Sequence, residues 1–234
     1  MHAIGRIIVA LLLGIVVLIV ASVIMMSLPN PPQLLEKYPW LMGFIPHTSM
    51  LLISTLILLI IGKGNLGQYG YKLPVNFKLL QVVILPLALG IISNIVLSSM
   101  PSHESFTPKE YSFSHIVIFI WLYASICEEI YTRGLIQGYL EPLAGGAITI
   151  MKIRLSLPII IGALHFSLIH LMAFAATLNP LTMVVFLIVA FILGLIAGYQ
   201  LEKTGSLIPA MIVHMMFNIS GSLVEWVAGF LGLG

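Results

Sequence analysis

Apolar residues fall into about seven long stretches, each close to the roughly 20 residues that a helix needs to cross a bilayer. The first is Ile7–Leu28 behind Arg6, closed by Pro29, Pro31 and Pro32. Its apolar core is longer than that of a secretory signal and lacks a small-x-small cleavage site, so a retained span is expected. A second stretch runs from about Thr48 to Ile61, reaches back toward Leu41, and stops at the Gly62–Gly70 loop. The third is about Leu79–Met100, with Pro86 tolerated because neighbouring helices can satisfy a freed carbonyl. Phe113–Leu140, Pro158–Phe174, Leu181–Leu201 and Ser206–Gly234 complete the set, the last with a bend or break expected near Ser220-Gly221. The expected fold is therefore all-α: a polytopic transmembrane bundle of about seven spans, six to eight being compatible. It forms one integral membrane domain over residues 1–234.

Composition narrows the class further. Of 234 residues, 60% are hydrophobic and 8% charged, against about 25% charged in soluble domains; the mean hydropathy is +1.13. A net charge of +2 gives no broad basic surface, which argues against nucleic acid as a partner. The partners expected are the lipid bilayer and molecules delivered through it. Near the span ends, Arg6, Lys63, Lys72, Lys78, Lys152, Arg154 and Lys203 fall on the side of the N-terminus, and only Lys37 and Lys109 on the other. The positive-inside rule then puts the N-terminus in the cytoplasm of a multi-pass protein, expected in the cell membrane.

The fourth stretch is the least ordinary, because Glu128, Glu129 and Arg133 interrupt an apolar helix. An ionisable group inside a span is costly and marks function by default. Residues four apart share a helix face, so Glu129 and Arg133 are expected to pair. Glu128 lies about 140° around the helix from Arg133 and is expected to point elsewhere, unneutralised, as a general base would. The competing reading is that both glutamates only lock Arg133 in place. Two further groups accompany them: Phe166-Ser167-Leu168-Ile169-His170, and His214-Met215-Met216-Phe217-Asn218. His214 and Asn218 share one face, and two donors aimed at one oxygen make an oxyanion hole. Counting helix rise from the expected inner ends puts Glu128 and His170 about 18 Å deep and His214 about 13 Å deep, a common level.

Other polar residues read as packing or interface groups: His165, His115, His103, Cys127 and the pair Glu225-Trp226. The chain has no Asp, so a two-aspartate intramembrane protease is excluded, and there is no His-Glu-x-x-His or Gly-x-Ser-x-Gly.

Glu-Glu-x-x-x-Arg, Phe-x-x-x-His and His-x-x-x-Asn, in that order on separate helices, resemble the CPBP family. That family comprises the CAAX proteases, including the Ras-converting CAAX endopeptidase, and bacteriocin-processing enzymes. The resemblance covers Glu128 to Asn218 and implies a glutamate-dependent intramembrane endopeptidase whose catalytic helices, 113–219 here, enclose a polar cavity open to the cytosol. By that similarity Glu128 is the catalytic glutamate, His170 its partner in activating water, and His214 with Asn218 the oxyanion donors, while Glu129 and Arg133 are supporting. His165, where an apolar or small residue is usual, is a departure. The substrate is expected to be a membrane-delivered peptide or protein, lipidated or not, and no cofactor is required. A zinc-dependent version on Glu128, His170 and His214 has plausible ligand chemistry. A non-enzymatic alternative is a proton-coupled transporter or an immunity or scaffold protein using the same buried Glu/His set. The crowding of polar groups into the C-terminal half favours the enzyme, since transporters carry paired repeats.

Overall fold

The computed structural model describes residues 2–100, 110–174 and 178–232, apart from the side chains of residues 172–174. His103 and Lys109 therefore lie outside the described residues, as does most of the Pro101–Glu110 loop. Six helices are long and apolar enough to cross a membrane: α1 (Ala3–Met26), α3 (Leu41–Ile61), α4 (Leu80–Ser98), α5 (Phe113–Leu143), α7 (Pro180–Thr204) and α8 (Leu207–Phe230). A shorter apolar helix, α6 (Leu157–Phe174), stands where the fifth stretch was expected. The polytopic helical bundle read from the hydrophobic pattern is what the chain forms.

Three features depart from the pattern. The prolines after α1 do more than end it, since Pro31–Lys37 forms a short helix, α2, with proline in its first turn. Residues between α5 and α6 form a two-stranded hairpin, β1 (Ala147–Ile150) and β2 (Ile153–Ser156), which the pattern of apolar stretches does not show. The last helix is continuous through Ser220-Gly221. Ser220 is fully buried there against Gly90 of α4, where any Cβ would collide with its hydroxyl.

The outermost helix shows how membrane packing differs from packing in water. On α1 only Ala10, Gly14, Val17 and Ala21 are buried, a narrow stripe of mostly small residues, while Ile8, Leu12, Ile15 and Ile19 face outward. Lipid is as apolar as leucine, so large side chains gain little by turning inward and small ones let backbones approach. Gly14 illustrates this: its carbonyl accepts a hydrogen bond from the Tyr131 hydroxyl at 3.0 Å, and a Cβ there would sit 2.8 Å from the His165 ring.

Two apolar clusters flank α5. One joins α1, α3 and α5 through Ala10, Val17, Leu58, Tyr131 and Leu135. The other joins α4, α6, α7 and α8 through Val82, Phe166, Leu193, Val213 and Phe217. Helix α5 is wound in wider π turns over Ile116–Ala124 and Ile130–Gln137, on either side of the α-helical segment Ser125–Glu129. Such turns are rare and concentrate at functional sites. Its rotation is fixed by α7: Arg133 Nη2 donates to the Gly194 carbonyl at 3.1 Å, and Gln137 Nε2 to the Gly198 carbonyl at 2.9 Å. Two polar residues four apart thus dock on two glycines four apart.

Candidate active site

Helices α3, α5, α6 and α8 bring the polar residues together around Phe166. On α5, Glu129 is fully buried and pairs with Arg133, Oε2 to Nε at 3.1 Å, as the four-residue spacing predicts. Its other oxygen lies 2.9 Å from His214 Nδ1. The Arg133 guanidinium sits 4.6 Å from the centre of the Phe166 ring, against which the His214 imidazole also packs edge-on. Arg133, Glu129 and His214 therefore form one buried, connected chain.

Glu128 points away from Arg133, as its helical angle predicts, but it is not unpartnered. Its Oε1 is 3.0 Å from His47 Nε2, and its Oε2 is 3.9 Å from His170 Nε2. The corrected picture is a carboxylate between two imidazoles. Both histidines direct Nδ1 at the carbonyl four residues earlier, His47 at Gly43, 2.5 Å away, and His170 at Phe166, 2.8 Å away. A carbonyl only accepts, so each Nδ1 carries the proton and a neutral ring offers Nε2 as an acceptor. The 3.0 Å contact between His47 and Glu128 therefore requires one further proton held between them. The side chains of Glu128, His47 and His170 are 15%, 19% and 19% exposed, while Glu129 is fully buried.

His47 is the partner of Glu128 that motif reading missed. Its signal was a histidine beside Pro46 within an apolar run, whose meaning rests on a partner 81 positions away. A ladder of rings holds α3 against α5 and so aims it: Trp40 stacks on Phe119 at 5.3 Å and Phe44 on Tyr123 at 5.4 Å. Thr48 is also hydrogen-bonded to the Tyr123 hydroxyl at 2.7 Å.

His170, His214 and Asn218 line a cavity of about 190 Å³ with Phe166, Phe217 and residues of α4 and α7. The shared face of His214 and Asn218 is as expected, but their donors do not converge. Asn218 Nδ2 donates to the Ile120 carbonyl at 2.9 Å and to Ser125 Oγ at 3.1 Å, and His214 Nδ1 is directed at Glu129. Among the described residues no group of three or more His, Cys, Asp or Glu is arranged to hold a metal ion.

The remaining candidates are packing groups. His165 is buried, 2.8 Å from the Tyr131 hydroxyl; Cys127 is fully buried; His115 packs on Tyr111 and Phe119; and Trp226 packs on Trp121 and Phe113.

Residues 111–220 match the family model described as type II CAAX prenyl endopeptidase Rce1-like. Over that stretch the chain is similar to the CAAX protease family. The match takes in all of α5, α6 and α7, most of α8, and each site residue except His47. The activity named for that family is that of a CAAX prenyl endopeptidase, and the six apolar helices make the present chain an integral membrane protein. No match was found among curated proteins, nor among solved structures.

Proposed function

We propose that the protein is a glutamate-dependent endopeptidase in which Glu128 activates water. The observation that carries this reading is the 3.9 Å gap between Glu128 Oε2 and His170 Nε2. It is too long for a direct hydrogen bond and suited to one water touching both groups. In the bound state that water gives its proton to Glu128 as its oxygen adds to the scissile carbonyl carbon. The oxyanion is met by His214 Nε2 and by Asn218. His214 donates there as the imidazolium, which the Glu129 carboxylate at Nδ1 can partner, and Asn218 donates by releasing its contact with Ser125. Such bonds often align only in the substrate complex. The C–N bond then breaks, Glu128 returns the proton to the leaving nitrogen, and the products are a carboxylate and an amine. His47 is a positioning residue that holds Glu128 and shares its proton.

The protein acts as one integral membrane domain whose catalytic helices, 113–219, borrow His47 from α3. Its N-terminus lies in the cytoplasm of the cell membrane, and its substrate is a membrane-delivered peptide or protein, lipidated or not. The experiment is a map of peptide termini in membrane proteomes from cells carrying the intact protein or Glu128→Gln. Termini should be present only with the intact protein, and identical maps would remove the assignment. Purified enzyme should retain cleavage after exhaustive chelation. Loss of activity restored stoichiometrically by zinc would instead recast Glu128, His170 and His214 as metal ligands.

A further inference from the structure

The spans alternate in direction, so the starts of α1, α4, α6 and α8 and the ends of α3, α5 and α7 share one face. That face carries Arg6, Lys63, Lys72, Lys78, Lys152, Arg154 and Lys203 against Glu141 and Glu202, seven cations less two carboxylates, a net side-chain charge of +5. The opposite face has Lys37 and Lys109 against Glu36, Glu104, Glu110 and Glu225, a net charge of −2. The hairpin of β1 and β2 joins α5 to α6 on the basic face, and its position between two spans places it at the membrane surface.

Its two sides are unlike. Cross-strand partners share a side, and the register pairs Ile148 with Leu155 and Ile150 with Ile153 on one, Ala147 with Ser156 and Thr149 with Arg154 on the other. The second side is tied to the bundle. Arg154 Nη1 donates to Glu202 Oε1 of α7 at 3.2 Å, Arg154 Nη2 donates to the Ala144 carbonyl, and the Ser156 hydroxyl donates to Glu202. On the apolar side Leu155 is buried at the root, while Ile148, Ile150 and Ile153 are 51%, 52% and 48% exposed. Ile8, Ile15 and Ile19, which face outward on α1, are 52%, 49% and 56% exposed. The hairpin isoleucines are thus as uncovered as side chains that the bundle leaves to lipid.

The turn is equally unsuited to water. A two-residue hairpin turn with both central residues at positive φ favours Asn-Gly or Asp-Gly, yet Met151 and Lys152 hold φ of 49° and 70°, and Met151 is 92% exposed. An apolar tip beside a lysine fits an interface, where the thioether reaches acyl chains and the ammonium extends to phosphates. The backbone limits the depth. Each strand of a two-stranded hairpin leaves one edge of N–H and C=O groups unpaired, and hydrocarbon cannot satisfy them. The strands therefore belong in the headgroup layer, with only side chains below it.

We infer that the β1–β2 hairpin is an interfacial anchor that lays Ile148, Ile150, Met151 and Ile153 into the leaflet on the basic face and selects anionic lipid there through Lys152 and the excess positive charge of that face. The anchor is independent of the peptidase reading.

The test uses the full chain with Cys127→Ala. Met151→Cys, with Ile150→Cys as a second site, is labelled with an environment-sensitive fluorophore and reconstituted into vesicles of phosphatidylcholine and phosphatidylglycerol in equal parts. Ile15→Cys on α1 is the lipid-facing reference. Lipids brominated on their acyl chains should quench the label at Met151→Cys as they quench that at Ile15→Cys, and aqueous acrylamide should quench it little. Quenching by acrylamide and not by brominated lipid would overturn the anchor. Shielding from both quenchers would overturn it as well, by showing the apolar side packed against protein. Lipid selection is read separately, with the bromine on one lipid at a time. Brominated phosphatidylglycerol should compete for contact with the label about 5-fold better than brominated phosphatidylcholine, the effect of one surface cation. Lys152→Gln should lower that ratio and leave the ratio at Ile15→Cys unchanged. Equal quenching by the two lipids would overturn the anionic preference with the anchor upheld, and a ratio unmoved by Lys152→Gln would remove that residue from it.

Discussion

Glu128 and Glu129 are neighbours in sequence and opposites in setting. Glu129 is closed off between a guanidinium and an imidazole, so both its oxygens face positive or proton-bearing groups that cannot leave. Glu128 sits between two rings that each present Nε2, and it keeps some exposure. A buried ionic chain sets geometry, because moving any member strands the others at a high cost. A carboxylate facing two proton acceptors can exchange protons, which is the requirement for acid-base work. One helix therefore presents a fully enclosed carboxylate and a partly exposed one within a single turn.

Substitution at the two glutamates should give opposite phenotypes, and this is the largest effect expected. Glu128→Gln should lower kcat by about 10³-fold, within the usual range for a general base, with an unchanged thermal midpoint in detergent. Glu129→Ala leaves Arg133 uncompensated and should cost about 3–5 kcal/mol of stability, read as a large fall in that midpoint. A Glu128→Gln protein cleaving at the parental rate, or a Glu129→Ala protein as stable as the parent, would erase the contrast.

A smaller effect is expected at Asn218, which stands between the two settings. Asn218→Ala should lower kcat by about 10²-fold with little change in KM, as for loss of an oxyanion donor. A lowered thermal midpoint with kcat intact would assign the residue to holding α8 against Ile120 and Ser125 only.

The smallest effect sharpens the role of His47. Loss of one charge-assisted hydrogen bond is worth about 1.5–3 kcal/mol, so His47→Phe should lower kcat by about 10- to 100-fold at constant KM. His47→Gln, whose amide can still donate to Glu128, should recover part of the loss while flattening the pH profile of kcat. Equal loss in both variants with an unaltered profile would reduce His47 to a packing residue.

Much of this was legible locally. The Glu129–Arg133 pair, the divergence of Glu128 from it, and the shared face of His214 and Asn218 all follow from helical periodicity, which acts over a few residues of one chain segment. The seven apolar stretches and the charge asymmetry between faces likewise need only the order of residues. Contacts between segments needed the assembled bundle. Gly194 and Gly198 are four apart in an apolar helix, yet nothing in that spacing says that Arg133 and Gln137 dock there. His47 gains meaning only because the Trp40, Phe44 and Tyr123 rings turn it toward Glu128, and Asn218 spends its donors on Ile120 and Ser125 because α8 lies against α5.

The sequence by itself determined that this is a membrane-spanning helical bundle, which polar residues interrupt its apolar spans, and which ends of the spans carry the basic residues, because hydropathy, charge and helix period are properties of single segments. Only the tertiary structure decided which imidazole meets which carboxylate and which residues line the cavity beside them. Hydrogen-bond partners and enclosed space belong to pairs of helices whose relative rotation and depth are set by packing across the whole bundle.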